Sequence, residues 1–431
     1  EINLFEDIYR TSMSGSIIIA DTNNLIINTP IVGQEYVSLK IKTPSLDGEE
    51  IDYTDHVFCV FKIGVRSDLS QTSEIFEIHL TTPEFMKNNR TRVSKSYTGT
   101  IDEVVEDVLR NELFVNSRKP LFIEPTSGIR KIISPNVNPY GLIRMLKDQS
   151  ISAQNQSPHF VFFENTKGLH FRSIQSLYEQ ESMGEYHAGD IGDHTDTKGK
   201  TGDIEQDFKR VMSFTQSKNN DTLLNIKTGF LGSKITVFDI YNKNYSTTTH
   251  DYFENFKDFD RLEKHPIYNN IPIDTKDNTL GSFADSKIHL YSTSTTTDYK
   301  DAQHYNTTTS SYPYTSHKIQ NTLLSRNAKM LELETTLSLA LQVNGNTTIA
   351  AGQVISFTRP IRGSGHNEGE VDKKYSGNYL ITRLRHMFSQ TTKKHEISMI
   401  IAKDSVGTSF ESFAEGNEPT GKMGVTTKNL Y

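Results

Sequence analysis

The stretch Ser389–Met399, SQTTKKHEISM, echoes an earlier one, Ser70–Leu80, SQTSEIFEIHL, with five of eleven positions identical at an offset of 319 residues. The signals around the two copies come in the same order. The apolar run Ile17–Ala20 meets turn residues Asn23 and Asn24, and Leu337–Leu341 meets Asn344, Gly345 and Asn346. Gly33-Gln34 opens one strand (EYVSLKIKTP) and Gly352-Gln353 opens another (VISFTRP), each glycine 37 residues before the serine of its SQT. Strand side chains alternate between two faces, so an odd offset moves inward positions from odd to even numbers. Leu380, Thr382 and Leu384 are expected inward on one strand, and Ile397 and Met399 inward on its partner. His395 falls opposite Phe76, which predicts a packed or interface residue rather than a catalytic histidine. The pattern predicts two similar antiparallel β-barrels.

Other segments complete the reading. Val37, Leu39 and Ile41 alternate with Ser38, Lys40 and Lys42, the signature of a half-buried strand. Val57, Cys59, Phe61, Ile63 and Val65 are expected on one strand face, and Phe76, Ile78 and Leu80 on the next. At Thr100 the period changes: Thr100 and Glu103 form a capping box, and Ile101, Val104, Val105, Val108 and Leu109 follow at helical spacing. Asn138-Pro139 predicts a second helix start, with Leu142, Ile143 and Leu146 on one face. Phe160–Phe163 and Leu169–Arg172 flank a turn at Asn165–Gly168 and predict a hairpin. Residues 242–320, rich in Ser, Thr, Asn, Asp and Tyr, are expected to hold little core of their own, with a helix near 318–331 after them.

The fold class expected is therefore α+β, mainly β: two tube-like barrels, an α+β domain and a polar insertion. Its divisions are 1–98 for the first barrel, 99–205 for the α+β domain with a polar loop, 206–241 with 325–402 for the second barrel, 242–324 for the insertion and 403–431 for a C-terminal tail. A length of 431 residues fits several units, since single cores rarely grow past roughly 250–300 residues.

Composition narrows the function classes. The net charge of −7 argues against a dedicated nucleic-acid binder, which usually carries a basic excess. One cysteine, Cys59, excludes an intrachain disulfide framework or a multi-cysteine metal cluster, and fits a reducing compartment. No apolar run approaches the roughly 20 residues that span a bilayer, so no stable membrane insertion is expected. The first residues, EINLFEDIYR, have neither the basic start nor the apolar stretch of a signal peptide, and the chain reads as soluble and intracellular when made.

The motifs of phosphate loops, dinucleotide folds, zinc proteases and serine hydrolases are all lacking in the sequence. His187, Asp190, Asp193, His194 and Asp196 offer metal-type side chains, but their spacing matches no known loop and reads as solvation. The adjacent pairs Asp102/Glu103 and Glu49/Glu50 read as cap and surface rather than acid/base pairs. Cys59 reads as core packing. Neither a catalytic residue, a metal nor a cofactor is expected. Lys40 and Lys42 on one strand and Arg383 and Arg385 on another are the candidate site residues, set to line a channel or an interface between barrels.

The order SIIIADTNNLI, GQEYVSLKIKTP, TIDEVVEDVL, NPYGLIRML, FVFFENTKGLHFRS, GSKITVFDIYNKNY, AAGQVISF and SGNYLITRLRH resembles the baseplate hub family of contractile-tailed, T-even-type bacteriophages. More distantly it is similar to late control protein D and to the hub of the VgrG spike. The resemblance covers most of residues 1–402. It implies a non-enzymatic homotrimer whose six like barrels join a sixfold tail tube to a threefold spike and leave a channel for DNA in transit. It implies partners among tube, spike and other baseplate proteins, in a virion tail assembled in the host bacterial cytoplasm. The tail 403–431 is expected to order on binding the spike. Two other classes stand beside it: a tail-associated cell-wall hydrolase, and a nucleic-acid-binding module built on the basic strand faces.

Overall fold

In the computed structural model, the residues described are 1–29, 31–43, 50–188, 208–218, 220–240, 243–273, 275–293, 318–361 and 370–409. The first five strands are β1 (Ile2–Asp7), β2 (Ser14–Asp21), β3 (Tyr36–Ile41), β4 (Ile51–Ser70) and β5 (Ser73–Thr81). They pair in the order β1-β2-β5-β4-β3, all antiparallel. Leu4, Leu39, Phe58, Val60, Phe76, Ile78 and Leu80 fill the concave side.

An α+β unit follows. A helix over Ile101–Arg110 carries the predicted capping box, with the Thr100 and Glu103 side chains bonded reciprocally to backbone. A second helix, Pro139–Lys147, has the Asn138 side chain accepting from the Gly141 amide. Their apolar stripes pack on β9 (Phe160–Asn165) and β10 (Gly168–Ser173), the hairpin expected from sequence. Shorter strands β6 (Ser96–Gly99), β7 (Leu121–Ile123) and β8 (Arg130–Ile133) complete the unit.

The second β-unit is a closed six-stranded barrel. It takes β11 (Ser182–Ala188), β12 (Arg210–Lys218), β17 (Leu337–Asn344), β18 (Val354–Thr358), β19 (Gly377–Ser389) and β20 (Lys394–Lys403) in the order β18-β11-β12-β17-β20-β19, and β19 pairs back to β18. Leu339, Leu341, Leu384, Ile397 and Met399 share one buried face, as predicted, but a register shift between Ile381 and Arg383 puts Ile381 on that face and leaves Leu380, paired with Ala402, buried on the other. Thr382 is buried as well.

The duplication is visible in topology. The ladder β2-β5-β4-β3 has the same order as β17-β20-β19-β18. Gly33 and Gly352, ahead of β3 and β18, both adopt left-handed backbone, φ 94° and 88°. That conformation favours glycine, and at Gly352 a Cβ would also strike Phe163. The hairpins differ, however. Ser70 pairs with Ser73 across two residues, whereas Ser389 pairs with Lys394 across four. The buried Phe76, Ile78 and Leu80 therefore correspond to Ile397, Met399 and Ile401, and His395 is not the counterpart of Phe76.

Two other expectations are corrected. In β4 the register shifts between Val60 and Lys62 and again between Ile63 and Arg66. These irregularities rotate the strand, so Phe58, Cys59 and Val60 are buried while Phe61 and Val65 face out. The insertion has more core than its polarity suggested. β13 (Gly232–Asp239), grouped by sequence with the second barrel, pairs instead with β14 (Asn244–Asp251) and β16 (Ile288–Thr293). That sheet and the helix Ile319–Thr335 bury Ile235, Val237, Leu323 and Leu324, while Phe230, Tyr252, Phe256 and Tyr268 form a neighbouring cluster. A short pair, β15 (His265–Pro266) with β21 (Ser405–Val406), ties the insertion to the end of the described chain.

Candidate functional site: the seam between the two β-units

β19 belongs to both units. Its first residues pair with β18 inside the barrel, and Arg383–Phe388 pair with Asp7–Ile2 of β1. Outward-facing side chains of β19 therefore stand beside those of the first unit. The Arg383 Nε lies 3.2 Å from Asp7, and its guanidinium covers the Tyr9 ring. Arg385 donates to the Asn3 side-chain oxygen at 2.9 and 3.1 Å, reaches Glu1 at 3.4 Å and covers Phe5. Both arginines line a groove of about 750 Å³ with Phe5, Asp7, Arg10 and Ile400.

The structure does not bring the lysines to that groove. Lys40 sits on β3, at the far end of the sheet, and bridges Glu50 at 2.9 Å and Asp52 at 3.4 Å. Its hydrogen bonds to those carboxylates, that to Glu50 first, hold the ammonium above the usual range. Lys42 is exposed beyond the same strand. The four candidates thus form two separate basic patches.

Three groups of residues hold the seam, two of them unannounced by the sequence and the third centred on His395, expected there as a packed or interface residue. Glu6, fully buried on β1, accepts from the Ala351 amide at 2.6 Å and the Thr166 amide at 2.7 Å, linking three units. Burial pushes its carboxyl up to about 7, against these hydrogen bonds. Lys119 lies between Glu84 at 3.1 Å and Glu164 at 2.6 Å, and Glu164 also accepts from the Met13 amide and the Thr82 hydroxyl. Burial alone would lower the Lys119 ammonium, but the two carboxylates outweigh it and hold it above its ordinary value. Third, His395 stacks on Phe388 and meets the buried His386 at 3.1 Å, and its other ring nitrogen meets the Thr43 hydroxyl at 2.7 Å. Thr43 follows β3, so the free end of the first sheet reaches the β19–β20 hairpin through a side chain. Burial lowers both imidazoles, His386 to about 3 and His395 to about 4.

The candidate catalytic groups are otherwise engaged. Asp102 bonds the Thr126 hydroxyl and amide at 2.6 and 3.1 Å, and burial raises the Cys59 thiol away from its reactive form. His187 sits in β11, while Asp190, Asp193, His194 and Asp196 lie outside the described residues, as does Glu49. Among the described residues there is no group of three or more metal-type side chains, and no helix is long and apolar enough to cross a membrane. A row of apolar residues on β3 and β4 is exposed instead: Tyr36 70%, Phe61 49%, Val65 75% and Leu69 62%. The alternation of β4 hid this row, because it assumed an unbroken ladder.

No protein-family model matches this sequence, and no curated protein matches it either. Solved structures do. A tail protein from Neisseria meningitidis, 10% identical, aligns with a TM-score of 0.51 over 94% of this chain and 91% of its own. The 43 kDa tail protein of prophage MuSo2 from Shewanella oneidensis is 9% identical, with a TM-score of 0.46 over 94% and 93%. An E. coli component of the type VI secretion system, described as similar to two T4 bacteriophage tail proteins, is 11% identical, with a TM-score of 0.42 over 94% and 73%. The chain has a tail-protein fold, mainly β with a closed six-stranded barrel.

Proposed function

We propose that this chain is a structural virion component, the central hub of a contractile-tail baseplate, and acts as a homotrimer rather than as an enzyme. The observation that carries the reading is the strand order used twice in one continuous sheet. Three chains with two like units each present six similar surfaces to a sixfold tube, while the α+β unit and the insertion stay threefold and seat a spike. The ring encloses a channel for DNA. The exposed apolar residues Tyr36, Val65 and Leu69 on β3 and β4 support a contact between copies, because exposed apolar surface marks an interface. Arg383 and Arg385 serve the contact between units within a chain, and Lys40 and Lys42 face the channel or the next copy. Assembly takes place in the host bacterial cytoplasm. The domain divisions expected from sequence are kept with two changes, Ser182–Ala188 joining the second barrel and Gly232–Asp239 the insertion, with the hub barrels inside and the other units projecting.

Light scattering and electron microscopy of the purified full chain test this. The expected result is a mass of three chains and a ring of six lobes around a pore. A folded, monodisperse monomer at micromolar concentration overturns the reading.

A further inference from the structure

A second groove, of about 730 Å³, lies where the turn between β1 and β2 meets β4 and the α+β unit. Ile8, Met13, Phe61, Phe85, Met86 and Met330 supply apolar walls. Three of these six are methionines, whose flexible thioethers adapt to the shape of an incoming side chain. Arg10, Arg144 and Lys147 stand at the same groove, and no Asp or Glu lines it. That is a concentrated positive site on a chain of net charge −7. Arg144 is exposed and makes no ion pair among those found between described residues, while Arg10 has Asp7 and Lys147 has Asp148, each at 3.7 Å. The groove therefore suits a segment with aromatic anchors and several carboxylates.

The chain itself contains such a segment. The described residues run to Ser409, and the next ten, Phe410–Pro419, read FESFAEGNEP. They hold two phenylalanines, three glutamates and no basic residue. Asp404 is paired with Lys329, whose neighbour along the helix, Met330, lines the groove, and Ser405 and Val406 then pair with β15. Ten extended residues reach about 33 Å.

We propose that Phe410–Pro419 of this chain docks in the groove, with Phe410 and Phe413 among the methionines and Glu411, Glu415 and Glu418 against Arg10, Arg144 and Lys147. The test uses the full chain carrying Phe413→p-benzoylphenylalanine, illuminated and mapped by peptide mass spectrometry. The expected adducts lie in Ile8–Ser14, Phe85–Asn89 or Arg144–Lys147. Product mass tells whether the segment docks on its own chain or on another copy, and both support the proposal. Arg10→Glu with Arg144→Glu, both exposed, is expected to cut the yield about tenfold with the circular dichroism spectrum unchanged. Adducts confined to other segments, no adduct, or a yield indifferent to charge reversal in a folded variant each overturn it.

Discussion

The two β-units follow one strand order but complete themselves differently. The second closes by backbone, with β18 paired to β19 and two added strands, β11 and β12, filling the gap. The first leaves β3 without a second ladder among the described residues and touches the other end of its curl through Thr43 and His395. A closed ladder satisfies every strand and leaves no edge to pair with another chain. An open unit of the same ancestry keeps such an edge, with apolar side chains beside it. The duplication has thus produced one half built for stability and one half left free for contact.

Substitutions can break this contrast. The largest effect is expected in the closed unit: Phe357→Ala empties a fully buried site and costs about 3–5 kcal/mol by chemical denaturation. A smaller loss there would mean the barrel collapses onto the cavity.

Glu6 comes next. Its folded carboxyl holds a proton up to about pH 7, against about 4.5 when unfolded. The folded state therefore binds more protons between these values, and stability is lost as pH rises through that window, by at most about 3 kcal/mol. Glu6→Gln removes this dependence, so the variant's stability relative to wild type improves from pH 4.5 to 8. A relative stability that does not change with pH contradicts the assignment.

Thr43→Val tests the side-chain closure of the open unit. It leaves the His395 nitrogen without its partner and costs about 1–2 kcal/mol, with faster amide exchange in β3 and none gained in β18. His386 and His395 work in the opposite direction to Glu6. Their imidazoles are neutral when folded, so their contribution is present above about pH 6.5 and is lost as pH falls toward 4 and 3. The smallest stability change belongs to the exposed row. Val65→Glu is expected within about 0.5 kcal/mol of wild type, yet it should reduce the proposed trimer to monomers in light scattering. If the variant still assembles, that row is not the contact.

Local signals in the sequence were legible because their physics is local. Thr100 with Glu103, and Asn138 with Pro139, cap helices using residues three apart or fewer. Inward facing along β17 and the inward end of β20 followed from alternation, whereas in β19 the shift between Ile381 and Arg383 breaks it, so Leu384 faces as expected and Leu380 does not. The course of β4 was not legible, because a bulge changes facing without changing composition. The two residues by which the hairpins differ were hidden for a similar reason: SQT matches on both sides, but pairing decides which residues form the loop. The seam was least legible. Glu6 and Ala351 lie 345 positions apart, and Lys119 and Glu164 lie 45 apart, with no local pattern to announce either. The basic candidates Arg383 and Arg385 were readable as an outward pair, but not their partners on β1.

The dual membership of β19 has a mechanical consequence. Six consecutive residue pairs join it to β1, running along the strands rather than at their tips. To slide or hinge one unit against the other, all of those pairs must shear together, with Glu6 and both arginines giving way at once. A push on the first unit is thus handed to the second with little compliance, as through a welded joint. Within one chain the two lobes behave as a single strut.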